Sequence, residues 1–406
     1  MSDANDPTPG ALSSAAGDTF TETTSKSWLQ RIVNSFVAAL FGLILVIASI
    51  VGIFWNEGRA IETARSLAEG AGAVVDVDSG RVDPADQGKL VHVAGAAKAA
   101  APLVDPEFHI SAAGLKLLRN VEMYQWRQDE RSQTHDKLGG GQETTTTYTY
   151  TKEWSLRQIE SAGFREPAGH ANPPMAFTRR EMVAADAKLG AFALPGELLA
   201  KLPNDARFDV DPVGFSAPTG QSRPAQVVDG AIYVGADPGQ PRIGDLRVTY
   251  YLAPDGAISA VGAQTSDGLG PYLTKAGGTV YLIERGEVPA AAMFKQAERE
   301  NALTTWIVRA GALLATGIGF ALILSPLSAL AAVLPPLGKL VGFGAGLTAV
   351  VLTLVVGPLM IAIAWFAVRP LMSIGIVAAG LIAAFLVSRL RSSRRSGLAP
   401  TAPNAR

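Results

Sequence analysis

The chain has 406 residues, 35 Lys+Arg against 36 Asp+Glu, 48% apolar residues and a mean hydropathy of +0.22. Only 17% of it is charged, against about 25% in soluble domains, so the apolar excess must be concentrated in membrane-length runs. The absence of Cys excludes disulfide scaffolds, thiolate metal sites and thiol nucleophiles. The first 300 residues carry 27 basic against 36 acidic side chains, which argues against the basic face of a nucleic-acid-binding domain.

Residues 1–31 open with a Ser/Thr/Ala/Gly/Pro-rich stretch and are expected to form a disordered cytoplasmic tail. Ile32 to Trp55 is a run of 24 residues without a charge, enough at about 1.5 Å per residue to cross about 30 Å of hydrocarbon. It reads as a retained first transmembrane helix rather than a signal peptide: a long segment precedes it, and Trp55-Asn56-Glu57 follows in place of a small-residue cleavage site. Apolar residues at 60, 61, 64, 67 and 68 continue it as an amphipathic stalk to about Gly70. The period then changes to two at Leu90–Ala94, Val121–Trp126 and Thr144–Trp154, three predicted strands. The last two form a long hairpin across Gly139-Gly140-Gly141. A short helix is predicted over Pro195–Leu202, further strands over Leu246–Leu252, Ala257–Ala263 and Thr279–Ile283, and a returning amphipathic helix over Val288–Thr305.

From residue 306 to 388 the chain is again apolar, broken at Pro335-Pro336-Leu337-Gly338-Lys339 and at Arg369-Pro370. Spans are predicted at 310–332, 340–368 and 371–388, followed by a basic cytoplasmic tail at 389–406. The fold class is therefore an α+β membrane protein: four transmembrane helices with a large β-rich extramembrane domain, residues 56–303, inserted between the first and second. Lys26, Arg31, Lys339, Arg389, Arg391, Arg394 and Arg395 fall on one side of this plan and Arg369 on the other. Both termini are thus expected in the cytoplasm and the domain in the periplasm or a lumen.

Chemistry is sparse. The four His residues, His92, His109, His135 and His170, show no i,i+4 pairing, and neither a zinc-protease nor a serine-hydrolase motif occurs. No cofactor or metal ligand set is assigned. Glu122, Glu153 and Asp245 lie on or beside strands and leave a carboxylate enzyme open. Gly342, Gly344 and Gly346 lie within a span and are candidates for close helix packing rather than phosphate binding. Ser325, Ser328, Thr348 and Thr353 either line a pore or serve packing. Arg389, Arg391, Arg394 and Arg395 are candidate contacts for anionic lipid head groups. Asn56, Glu57, Arg59, Trp306, Arg309 and Arg369 are candidate interface residues, with Glu57 or Glu69 paired to Arg59, Arg65 or Arg309.

Six ordered blocks carry a resemblance: Asn56-Glu57-Gly58-Arg59-Ala60, Ser66-Leu67-Ala68-Glu69-Gly70, Gly88-Lys89-Leu90-Val91-His92, Val121-Glu122-Met123-Tyr124-Gln125-Trp126, Gly244-Asp245-Leu246-Arg247-Val248 and Trp306-Ile307-Val308-Arg309-Ala310. Over about residues 55–390 the chain resembles the transmembrane protein 43 (LUMA) family. The resemblance implies a multispan protein with one large luminal domain, which in animals organises the inner nuclear membrane and endoplasmic reticulum, self-associates and contacts emerin and lamins. It implies no catalytic residues. The Ala-, Gly- and Arg-rich composition, with no Lys after residue 339, points to a bacterial member, for which lamina attachment does not transfer.

The reading is a non-enzymatic integral membrane protein that organises its membrane through self-association and contacts with lipids and other membrane proteins, without nucleic acid. The alternatives are an envelope enzyme or binding protein for lipid or glycan head groups, and an oligomeric ion-conducting pore. The expected location is a bacterial inner membrane, or the endoplasmic reticulum or inner nuclear membrane in a eukaryote.

Overall fold

The apolar run that begins at Ile32 and its continuation to residue 70 contain no proline and only isolated glycines, and the helix runs unbroken through them. In the computed structural model, which describes residues 18–204, 206–213, 215–218, 223–366, 374–375 and 378–386, helix α1 spans Trp28–Ala73. Span and stalk are thus one helix. The elements used below are, in chain order, β1 (Thr19–Lys26), α1, β2 (Leu90–Ala99), β3 (Lys116–Asp136), β4 (Gln142–Ser155), β5 (Ala231–Val234), β6 (Leu246–Ala253), β7 (Gly256–Gln264), α2 (Ala290–Ala331) and α3 (Pro335–Phe366). α1, α2 and α3 are each long and apolar enough to cross a membrane. Of the predicted fourth span, only residues 374–375 and 378–386 are described, as helix. The large β-rich domain that was expected is present.

The chain divides into two units. Residues 18–22, 63–131 and 146–298 form a β-rich one. Its first sheet has the order β1, β4, β3, β6, β5 and Ala225–Val228, and its second has Phe192–Leu194, Ala187–Leu189, β2, β7 and Leu269–Gly270. The alternation of β3 and β6 fixes their register. Met123, Val121 and Arg119 pair with Leu246, Val248 and Tyr250, while Glu122 and Asn120 pair with Arg247 and Thr249. The first set is fully buried; the second faces outward, because a strand's side chains point to opposite faces at every step. Leu117, Val121, Met123 and Val248 share one core with Val91, Val93, Ile258 and Ala260 of the second sheet, each large side chain contributing about 1.5–3 kcal/mol by burial. A smaller cluster, Leu67, Leu90, Val261, Val280, Met293 and Phe294, ties the last turns of α1 and the first turns of α2 to β2 and β7. The predicted helix at Pro195–Leu202 shrinks to the single turn Gly196–Leu199, with Pro195 at its N-cap.

Residues 23–62 and 132–145 and the described residues from 299 form the helical unit. Its seam is legible in α1: Gly42, Val46, Ser49, Ile53, Asn56 and Ala60 are buried, a 3.5-residue spacing that keeps one stripe against a neighbouring helix. Phe36, Leu40, Ile44, Ile47 and Val51 are exposed on the other side. α2 answers antiparallel with Thr305, Arg309, Thr316 and Gly319 buried. The backbones come close where both helices lack a side chain: a Cβ added at Gly42 would lie 2.6 Å from the Gly319 carbonyl oxygen. About two turns further along α1, the Ser49 and Thr316 hydroxyls bond at 2.7 Å. The predicted packing glycines differ. A Cβ at Gly342 meets only Ser328, at 3.6 Å, and none at Gly344 or Gly346 meets anything within 4 Å. A two-residue spacing turns alternate glycines onto different faces of a helix, so the trio does not make one contact surface.

Two features depart from the expected tail and domain. Thr19–Lys26, read as irregular, is a strand paired with β4. The hairpin tip, residues 132–145, belongs to the helical unit: Arg31 Nη1 donates to the Gly140 carbonyl at 2.8 Å and pairs with Asp136 at 3.1 Å. Gly140 has φ +82°, and the Trp28 indole fills the space a side chain there would need. Trp28 Nε1 also donates to the Ala329 carbonyl at 3.1 Å, placing the amino end of α1, the hairpin tip and the carboxyl end of α2 together. This contact departs from the expectation that all of 56–303 lies across the membrane from Arg31.

Candidate functional site

Immediately after the apolar run, α1 carries Asn56, Glu57 and Arg59, and α2 approaches with Asn301, Thr305 and Arg309. Helical spacing puts 56 and 60 on the buried stripe with 57 beside them, so an amide and a carboxylate enter the seam itself. Asn56 and Glu57 are 0% and 1% exposed and Arg309 is 5% exposed. A carboxylate buried this completely must be paired, and it is: Arg309 Nε donates to Glu57 Oε1 at 2.6 Å and Nη2 to Oε2 at 2.7 Å. This is the fork-to-fork geometry in which both charged bonds are short and directional. The Arg309 guanidinium also lies 4.7 Å from the centre of the Trp306 ring, within cation–π range; Trp306 itself is exposed.

A second layer holds the pair. Asn56 Nδ2 donates to the Thr305 carbonyl at 3.3 Å. Arg59 donates to Asn301 Oδ1 and Asn56 Oδ1, both at 3.2 Å, and to Thr305 Oγ1 at 3.3 Å. Asn301 Nδ2 closes the set on the Ala60 carbonyl at 3.0 Å. The result is a polar clamp joining α1 to α2, with charges matched inside it. Sequence reasoning named Asn56, Glu57, Arg59, Trp306 and Arg309, and the structure brings all five together. It missed Asn301 and Thr305, whose signal was their one-turn spacing ahead of Arg309. Glu69 does not enter the clamp; it accepts from the Lys275 backbone N–H at 3.0 Å. Arg369, Arg389, Arg391, Arg394 and Arg395 lie outside the described residues.

The β-rich unit holds further buried polar centres. Arg119 donates to both Asp105 oxygens at 2.9 and 2.8 Å, and Tyr250 donates to Asp105 at 2.7 Å. Burial, then the Asp105 carboxylate, pushes the Tyr250 hydroxyl far above its ordinary range. Of the carboxylates weighed for catalysis, Glu122 pairs with Arg247 at 2.7 Å, Glu153 with Arg127 at 3.1 Å, and Asp245 with Arg223 at 2.8 Å. Each is thus neutralised by an arginine. His92 is held between Asp76 at 2.6 Å and the Val288 carbonyl at 2.9 Å, and His170 stacks on Tyr150 with ring centres 3.8 Å apart. Among the described residues no group of three His, Asp or Glu side chains is arranged to hold a metal.

The hydroxyls weighed as pore lining are turned inward. Ser325, Ser328, Thr348 and Thr353 donate to carbonyls of their own helices, those of Leu322, Ser325, Gly344 and Ala349, at 2.7–2.9 Å. That satisfies them without water.

Residues 123–370 match the family model of Transmembrane protein 43. The Homo sapiens Transmembrane protein 43 is 31% identical over 378 residues, covering 90% of this chain and 92% of the human one. The Mus musculus protein is 31% identical over 360 residues, 85% of this chain and 88% of its own. The Drosophila melanogaster homolog is 31% identical over 279 residues, 66% and 71% of the two chains. No solved structure matches the chain. With membrane-length helices α1, α2 and α3, the chain is an integral multi-pass membrane protein and belongs to the transmembrane protein 43 family.

Proposed function

We propose that this chain organises its membrane without catalysing a reaction, by self-association of its helices and by contacts with lipids and other membrane proteins. The observation that carries the reading is the outer face of α3. Leu340, Phe343 and Val350 are exposed there, and Gly346, on the same side, has no described atom within 4 Å of an added Cβ. In lipid, helices associate where small residues let backbones approach, and this face offers that beside apolar flanks. The inward-turned hydroxyls favour packed helices over a water-filled pore. Four spans and a bacterial inner membrane complete the proposal. Basic residues 389–395 then meet anionic head groups on the cytoplasmic side.

Because the chain has no Cys, a single introduced thiol reports contacts cleanly. Leu340→Cys and Phe343→Cys in native membranes are expected to give disulfide-linked dimers, whereas Leu314→Cys on α2 is not. Monomers at both α3 positions under oxidant would exclude α3 as the self-association face.

A further inference from the structure

The outward residues of β3, β5 and β6 form the floor of an open groove of about 570 Å³, inside the range of about 300–1,000 Å³ usual for small-molecule sites. It lies wholly in the β-rich unit, and the proposed membrane-organising role does not use it. Asn120 and Thr249 are cross-strand partners, and Tyr251 follows Thr249 on the same face. Trp154 of β4 walls one side, its ring 6.2 Å from that of Tyr233.

The arginines described in this groove are already paired. Arg247 bonds Glu122 at 2.8 Å and lies 4.9 Å from the Trp154 ring centre; Arg207 pairs with Asp209 at 2.9 Å. Asp229 adds another acid to the lining. Among the described residues this site has no free cation to attract a phosphate or carboxylate. Besides the Asp229 carboxylate the groups left over are neutral: among the described residues the side chains of Asn120, Thr249 and Tyr251 have no hydrogen-bond partner. An amide and two hydroxyls beside a half-buried indole offer donors and acceptors next to an apolar ring face. A sugar ring presents hydroxyls at its rim and C–H groups on its faces, which matches both.

We infer that this groove binds a neutral saccharide, its ring stacked on Trp154 and its hydroxyls bonded to Asn120, Thr249 and Tyr251. The saccharide is either a free oligosaccharide or the head group of a glycolipid. The test uses the full chain in lipid nanodiscs and saturation-transfer difference NMR with cellotriose and chitotriose as free probes. Nanodiscs doped with monoglucosyl diacylglycerol, scored by competition against the free sugars, provide the head-group arm. At least one probe should bind, and Trp154→Ala and Asn120→Ala should each weaken it at least tenfold. Tyr251→Phe, which removes one hydroxyl and keeps the ring, should weaken it less while leaving the thermal midpoint unchanged. Loss of the free-sugar signal in the doped nanodiscs assigns a head group, and a free-sugar signal unchanged by the doped lipid assigns an oligosaccharide. No saturation transfer from any probe, binding unaltered by Trp154→Ala, or tighter binding of inorganic phosphate than of the sugars would each overturn the inference.

Discussion

Removing one half of the Glu57–Arg309 pair strands the other half as a buried charge, and that decides what substitutions there do. Arg309→Ala is expected to cost about 3–5 kcal/mol, as breaking a buried ion pair does, whereas replacing both partners with apolar residues of similar volume costs far less. A double-mutant cycle of Glu57→Leu and Arg309→Met, read by detergent-to-denaturant unfolding, checks this. Equal additive losses from the two single changes would mean that the pair does not act as a unit. The tyrosines of the β-rich unit make a second prediction. Burial holds Tyr281 up to about 12, with the Glu197 charge adding to it, and Tyr233 and Tyr250 are raised by burial and by Asp245 and Asp105. Their folded values exceed the unfolded value of about 10. The Tyr281 contribution to stability is therefore complete below about pH 10 and is lost as the pH rises through about 12, and those of Tyr233 and Tyr250 persist to higher pH. Phenolate absorbance should rise together with loss of circular dichroism in that window; tyrosine ionisation complete near pH 10 in the folded protein would contradict it.

Among the elements, α1 shows what a sequence reveals and what it withholds. Its uncharged run and the amphipathic continuation are local patterns, so span and stalk are readable without the fold, and so is the hairpin between two alternating strands. The face that packs is not readable from one helix alone. Gly42 and Gly319 meet because two stripes 277 positions apart coincide, while the more conspicuous Gly342, Gly344 and Gly346 do not form such a contact. Gly42→Leu should therefore destabilise the helical unit by about 1–3 kcal/mol through overpacking, and Gly52→Ala, with nothing within 4 Å, should leave it unchanged in the same unfolding assay. The tip of the hairpin was equally hidden: polar glycine-rich tips usually stay in water, and only the partners Trp28 and Arg31 show where this one goes. Single thiols at Ser27 and Gly139 are expected to react with an impermeant maleimide from the same membrane face. Labelling from opposite faces would break the Arg31–Gly140 contact as a feature of the membrane-bound protein.

For the molecule as a whole, the membrane class, the β-rich unit and the family were all legible, because hydropathy and ordered sequence blocks survive at 31% identity. The strand Thr19–Lys26 was not, since a Ser/Thr-rich stretch reads as a tail unless its partner β4, more than a hundred residues away, is known. Nor was the Asp105–Arg119–Tyr250 centre, whose members come from three separate segments. Of the candidate site, the charged members were visible because Glu57 and Arg309 border apolar runs; the amide and hydroxyl that complete it carry no such mark. Self-association is the claim on which the proposed role rests. Native mass spectrometry of the full chain released from lipid nanodiscs measures it most directly. One defined subunit number above one, lost when Leu340 and Phe343 are both changed to Lys, is expected. A monomer at every protein-to-lipid ratio would contradict it.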